Sequence, residues 1–179
     1  LAPYKAAVEA GVGSVMSAFN LVDGIPATAN KWLLTELLRN EWGFGGIVVT
    51  DYYSIGEMKT YSVADKKEAS EHALKAGTDM EMVTAGFLDT LESALEEGLI
   101  SEADIDRACR RVLETKYRMG LFDDPYKYCD TVRAEKEIFT PEHRKEAREV
   151  ARETFVLMKN EGSLLPLSMD KKIALIGPM

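Results

Sequence analysis

The sequence predicts an α/β fold. Two features carry that reading. Short apolar runs alternate with helical periodicity over about the first 120 residues, and Ile47, Val48 and Val49 stand consecutively, β-branched, with no polar residue between them. A run of that kind predicts a strand buried on both faces, as in parallel sheets. Strand–helix repeats joined by short loops imply parallel strands with right-handed crossovers. Three such units do not close a (β/α)₈ barrel, which takes about 250 residues. The first 120 residues therefore read as the second half of something larger.

The elements follow in order. Residues 13–19 (GSVMSAF) are an apolar run bounded by turn residues and predict a buried strand. LVDGIPATAN is a loop rich in Gly, Pro and Asn. Asn30 caps a helix on which Leu33, Leu34, Leu37 and Leu38 recur at helical spacing, ending near Trp42-Gly43. The strand GGIVVT leads to Asp51. A helix over 65–76 stops at Gly77, a residue suited to the left-handed C′ position. Residues 78–83 (TDMEMV) predict a third strand. A helix over 87–97 ends at Gly98. Another starts at Ser101, with Ile105, Ala108, Cys109, Val112 and Leu113 on one face, and ends at Gly120.

The character then changes. Residues 121–140 are polar and aperiodic and read as a linker or surface loop. Thr140-Pro141 opens a helix by the rule that proline fits the first turn. Ala147, Val150, Ala151, Phe155 and Met158 give it an apolar face. KKIALIGPM, over 171–179, predicts a strand running into a Gly-Pro turn, the onset of a second α/β domain.

Composition narrows the function. The chain has 179 residues, 46 % hydrophobic and 29 % charged, and a formal net charge of −8. That is ordinary globular composition. An acidic surface argues against a nucleic-acid partner, whose phosphates need a Lys/Arg footprint, and fits a neutral substrate such as a sugar. No apolar run approaches the roughly 18–20 residues of a membrane span, and no signal-peptide pattern opens the chain. Cys109 reads as core and Cys129 as a loop residue; two cysteines make no disulfide framework. With His72 and His143 far apart, no spacing matches zinc, and no metal is expected.

Reactive groups of barrels and open α/β sheets sit at the C-terminal ends of strands. Asp51 holds that place after GIVVT. It serves either as a carboxylate facing a cleft or as a cap. Asn20 ends the first strand and is either a cleft residue or a turn residue. Asp79 and Glu81 flank the third strand; backbone amides are the leading partner for Asp79. Met16 and Phe19 read as core on the residues alone. GFGG (43–46) does not precede a helix, so it is no phosphate loop, and no nucleophile-elbow serine is present.

The stretch MSAFNLVDGIPATANKWLLTELLRNEWGFGGIVVTDYYSI resembles the nucleophile region of family-3 glycoside hydrolases. The matching positions are Asn20, Gly24, Pro26, Asn30, Leu33, Leu34, Leu38, Arg39, Glu41 through Phe44, Gly46 and Thr50-Asp51-Tyr52. AGTDMEM (76–82), the stretch from Arg111 to Tyr126 and VLMKNEGSLLPL (156–167) are similar to the family as well, so the resemblance covers essentially the whole chain.

The resemblance implies the C-terminal part of a (β/α)₈ TIM-type barrel over 1–120, a linker with a helix over 121–170, and the first strand of a truncated α/β sandwich domain over 171–179. It implies retaining, double-displacement hydrolysis of terminal β-D-glycosyl residues, β-glucosidase-like, with Asp51 as catalytic nucleophile. Such chemistry uses two carboxyl groups about 5–5.5 Å apart. The nucleophile must be ionised, which cationic neighbours would favour. Met16 and Phe19 match positions lining the sugar subsite, although Phe19 lacks the hydroxyl of the Tyr often found there. Tyr52 stands where Trp is common and can stack on a sugar ring. No metal or cofactor is implied. The substrate is an oligosaccharide or β-glycoside.

By the same resemblance, the acid/base glutamate lies in the second domain and the Lys-His and Arg motifs lie upstream, in the remainder of the polypeptide, so these 179 residues alone are expected to be inactive. β-Xylosidase and β-N-acetylglucosaminidase are the alternatives within the family. The onset of KKIALIGP favours the two-domain, glucosidase-like branch. Outside catalysis the alternative is a carbohydrate-binding module. Export is implied too, to the periplasm or beyond the cell.

Overall fold

A computed structural model describes residues 1–61, 63–174, 176 and 177. They divide into two compact units, Leu1–Lys127 and Tyr128–Met179.

The first unit opens with helix α1 (Ala2–Glu9), begun by Pro3 in its first turn. Sequence periodicity gave no sign of it. Strand β1 (Ser14–Ser17) follows, shorter than the apolar run from which it was read. The expected loop after it contains a small hairpin, β2 (Leu21–Val22) against β3 (Ile25–Pro26). Its turn is Asp23-Gly24, both at positive φ, the pairing that a two-residue hairpin turn requires. A 3-10 turn (Ala27–Ala29) leads to a π-helix, Trp32–Glu41, which buries Leu34, Leu37 and Leu38. Asn30 caps it as expected: its Oδ1 accepts from Leu33 N–H at 2.9 Å, and its Nδ2 donates to Val22 O at 3.0 Å.

Strand β4 (Ile47–Thr50) lies parallel to β1, with Met16 opposite Val49 and Ser17 opposite Thr50. Short helix α2 (Ser54–Glu57) and helix α3 (Lys66–Ala76) follow; Asp65 caps the latter by accepting from Glu68 N–H. Gly77 ends α3 at φ +112°, where a Cβ would also stand 2.8 Å from Thr35 Oγ1. Glycine meets both demands. The third strand contracts to a single parallel bridge between Met80 and Val49. Helices α4 (Gly86–Glu96) and α5 (Glu102–Arg118) complete the unit.

The helices cover one face of the strands. Leu34, Leu38, Phe44, Val48 and Ala76 form one buried cluster. Two others lie between α2 and α3 and among α3, α4 and α5. β4 is therefore not buried on both faces: Val48 and Thr50 are buried, whereas Ile47 and Val49 are half-buried on the side that no described helix of this unit covers. Cys109 is another correction. It is exposed and free, because α5 turns Ala108, with Ile105 beside it, toward the core. Cys129 is also free.

The second unit holds helices α6 (Thr131–Glu137) and α7 (Pro141–Glu153). Helix α6 lies in the stretch read as aperiodic. Asp130 accepts from Arg133 N–H and caps it. Thr140 caps α7 through His143 N–H, but α7 ends at Glu153, before Phe155 and Met158. The strand expected over 171–179 lies partly outside the described residues, at Leu175, Pro178 and Met179. The described remainder, 171–174, 176 and 177, forms no ladder. A strand takes its hydrogen bonds from a neighbour, and no described residue supplies one.

At the start of α5, Ser101 donates to Asp104 Oδ2 from both its hydroxyl, at 2.7 Å, and its backbone N–H, at 3.0 Å. These bonds, with Arg107, hold the Asp104 carboxyl at about 2, below the ordinary 3.8. A depressed carboxyl pKa stabilises the fold above the unfolded value and loses that contribution as pH falls toward the folded one. Asp104→Ala should lower stability at neutral pH by about 1 kcal/mol. The difference from wild type should shrink as pH falls from about 4 toward 2, read by urea titrations across that range.

A candidate active site at the strand ends

Parallel pairing places the C-terminal ends of β1, β4 and the Met80 segment side by side. Three backbone bonds fix this: Asp51 N–H to Ser17 O at 3.2 Å, Thr50 N–H to Met80 O at 3.0 Å, and Tyr53 N–H to Met82 O at 3.2 Å. Asp51 is thus flanked by Ala18-Phe19 on one side and Glu81-Met82 on the other. Side chains alternate along a strand, so Asp51 continues the uncovered face of Ile47 and Val49, while Val48 and Thr50 point to the helices.

The four residues singled out from the sequence share this end of the sheet. Asp51 is half-buried. Met16 (55 % exposed) sits opposite Val49 on the uncovered face, Phe19 (36 %) follows the end of β1, and Tyr52 (61 %) follows Asp51. The core reading of Met16 and Phe19 is thereby corrected: among the described residues of the first unit, no helix packs over that face. Asn20 is exposed, and among the described residues its Nδ2 reaches only Leu21 O, at 3.4 Å.

The acidic residues divide by their partners. Asp79 is buried and accepts from a backbone amide, Val48 N–H, at 2.8 Å. It also accepts from Arg39 Nη2 at 2.5 Å and Arg111 Nη1 at 2.9 Å. Glu81 accepts from Gly86 N–H at 2.9 Å and Phe87 N–H at 2.7 Å, satisfying the first turn of α4. Asp51 Oδ1 accepts from Tyr52 N–H at 2.6 Å. Among the described residues nothing bonds its Oδ2, and no ion pair includes it. One carboxylate oxygen is therefore uncommitted beside a half-buried approach.

Beneath Asp51 lies a chain of buried hydroxyls. Thr28 Oγ1 is 2.8 Å from Ser17 Oγ and 2.6 Å from Ser54 Oγ, and Thr78 Oγ1 donates to Thr28 O at 3.0 Å. Thr50 Oγ1 accepts from Met82 N–H at 2.8 Å. Sequence reading missed these supports, and it missed Arg39 and Arg111 as partners of Asp79. The available signal was a charged residue, Arg39, directly after buried Leu38. A cleft of about 570 Å³ lined by Arg39, Arg107, Arg110, Arg111 and Arg118 also includes Gly45, ahead of β4. It lies at the opposite end of that strand from Asp51.

Comparison with known proteins bears on this end of the sheet. A family profile described as "Glycosyl hydrolase family 3 N terminal domain" matches residues 1–115. A protein of Salmonella typhimurium named periplasmic beta-glucosidase is 45 % identical, over 99 % of this chain and 24 % of that protein. A beta-xylosidase of Formosa agariphila is 38 % identical, over 99 % of this chain and 26 % of its own length. The crystal structure of a beta-glucosidase from Listeria innocua with isofagomine superposes with a TM-score of 0.79 at 42 % identity, covering 94 % of this chain and 24 % of that one. The chain thus spans about a quarter of the length of these relatives.

Thr28→Val keeps the shape but removes the hydroxyl shared by Ser17 and Ser54. Two buried hydroxyls lose a partner, and stability should fall by about 1–3 kcal/mol. Chemical denaturation of Thr28→Val against Thr28→Ser measures it; the serine variant should lose less.

Proposed function

Because this chain belongs to glycosyl hydrolase family 3, and its α/β architecture is of the TIM-barrel type of that family's N-terminal domain, we propose that it carries the nucleophile side of a retaining β-glycosidase site, with Asp51 as nucleophile. The observation that carries this is the division of labour among the acidic residues at the strand ends. Asp79 is spent on two guanidinium groups and an amide, and Glu81 on the start of α4. Asp51 keeps an uncommitted oxygen on the uncovered face.

Hydrolysis then runs in two displacements. An Asp51 oxygen attacks the anomeric carbon as the glycosidic C–O bond breaks. The leaving oxygen takes a proton from a carboxylic acid supplied by the remainder of the polypeptide. The product is a glycosyl ester on Asp51. Water attacks the same carbon, gives its proton back to that second carboxylate, and releases Asp51. Met16 and Phe19 line the glycone subsite. Tyr52, largely exposed beside the nucleophile, offers a ring face for stacking on a sugar.

The substrate is a β-glycoside or oligosaccharide ending in a β-D-glucosyl residue, supported by the Salmonella and Listeria relatives. A β-xyloside is the second reading, supported by the Formosa relative. Periplasmic placement follows the Salmonella protein's name. We likewise assign a barrel segment to residues 1–120, a linker and helix to 121–170, and the start of a second domain to 171–179.

The test uses the longer parent chain on aryl β-glucosides and β-xylosides. Asp51→Asn should lower kcat by roughly 10³-fold or more. Azide added to Asp51→Ala should restore turnover and yield the α-glycosyl azide, since the small anion replaces the missing nucleophile from the same face. Unchanged turnover in Asp51→Asn would refute the assignment. The 179 residues alone should hydrolyse these substrates poorly or not at all, since the second carboxyl group is assigned here to the remainder of the polypeptide; appreciable hydrolysis by the purified chain would refute that part.

A further inference from the structure

We propose that Asp79, clamped by Arg39 and Arg111, is a positioning residue for Asp51 that locks the register of strand β4. This rests on the reading of Asp51 as nucleophile.

The two edges of β4 are held differently. On one side β1 supplies a four-residue parallel ladder, Ser14–Ser17 against Ile47–Thr50. On the other, the backbone offers a single bridge at Val49 and Met80. There Val48 O accepts from both Asp79 N–H, at 2.9 Å, and Met80 N–H, at 3.1 Å. The Val48 N–H finds its acceptor in a side chain, Asp79 Oδ2, at 2.8 Å. A carboxylate thus takes the place of a ladder carbonyl, and Val48 is pinned through both backbone groups by the same residue.

The carboxylate is itself fixed. Its side chain is 1 % exposed, against 7 % for Arg39 and 22 % for Arg111. Arg39 also donates from Nη1 to Gly46 O at 2.9 Å and from Nη2 to Gly77 O at 3.3 Å, and its guanidinium lies 5.4 Å from the Phe44 ring centre. The π-helix, the entry to β4, the exit of α3 and helix α5 meet at one buried charge.

Register is what this arrangement protects. A slip of one residue would carry every side chain of β4 to the opposite face. Asp51 would then point toward the helices, where Thr50 now stands. Val48 and Asp51 are three residues apart, about 10 Å along a strand, so Asp79 acts on Asp51 through the backbone and not by contact.

The experiment uses the longer parent enzyme and a 2-deoxy-2-fluoro aryl glycoside, which labels the nucleophile covalently and counts working sites. In Asp79→Asn, kcat per labelled site and the rate of labelling should both fall about 10- to 100-fold, while the inhibition constant of the free sugar stays within about twofold. Arg111→Gln, at the more exposed partner, keeps the Val48–Asp79 bond and tests the same idea if Asp79→Asn does not fold. It should show a smaller fall in the same direction, partly restored in Arg111→Lys. If wild type is labelled at Asp51 but the variants lose only thermal stability or the number of labelled sites, with unchanged rates per site, the positioning role is overturned alone. If wild type is labelled at another residue, the nucleophile reading falls and takes this inference with it.

Discussion

The first unit depends on one buried carboxylate. Asp79 is removed from water and is tolerable there because three donors reach it: two guanidinium groups and the Val48 amide. A buried charge without partners is unstable, and removing one partner strands the others. Burial holds the Arg39 guanidinium pKa below its ordinary value, with Asp79 opposing that shift and Arg111 adding to it. The network therefore stands or falls as a set. It joins segments that carry little hydrogen bonding of their own: a third strand reduced to one bridge, the turn into β4 and the exit of α3.

Around that constraint the acidic residues near the strand ends take separate tasks. Asp79 faces inward and holds backbone. Glu81 turns aside and caps α4. Asp51 continues the uncovered face. A row of buried hydroxyls, Ser17, Thr28 and Ser54, packs below it without introducing further charge. Neutral hydroxyls can pack closely and still satisfy one another, which lets the strand ends converge beside the half-buried Asp51 carboxylate.

The face carrying Met16, Val49 and Met80 stays uncovered in these residues. In barrel-type α/β folds, inward-pointing side chains of the strands stack in layers against those of the other strands. The chain spans about a quarter of its relatives' length, so the apolar character of this face fits a fold in which other strands complete the layer. The same circumstance explains why a strand written as Ile-Val-Val is half-buried on one side here. Its composition records a two-sided environment, while the helices of this unit furnish one side.

What the sequence determined by itself is local. The β-branched run fixed β4, Asn30 fixed the start of the π-helix, Gly77 and Gly120 fixed where helices stop, and the end of β4 fixed the place of Asp51. Each follows from backbone preference or capping within a few residues. The Asp23-Gly24 hairpin and α6, capped by Asp130, used equally local chemistry, but their elements are too short for periodicity to reveal. What only the tertiary structure decided is what lies across from each face. Periodicity grouped Cys109 with Ala108, yet the core reaches Ala108 and leaves Cys109 in solvent. It gave no partner for Asp79, because Arg39 and Arg111 lie 40 and 32 residues away along the chain. A buried charge is settled by groups distant in sequence, and no local pattern encodes which of them will arrive.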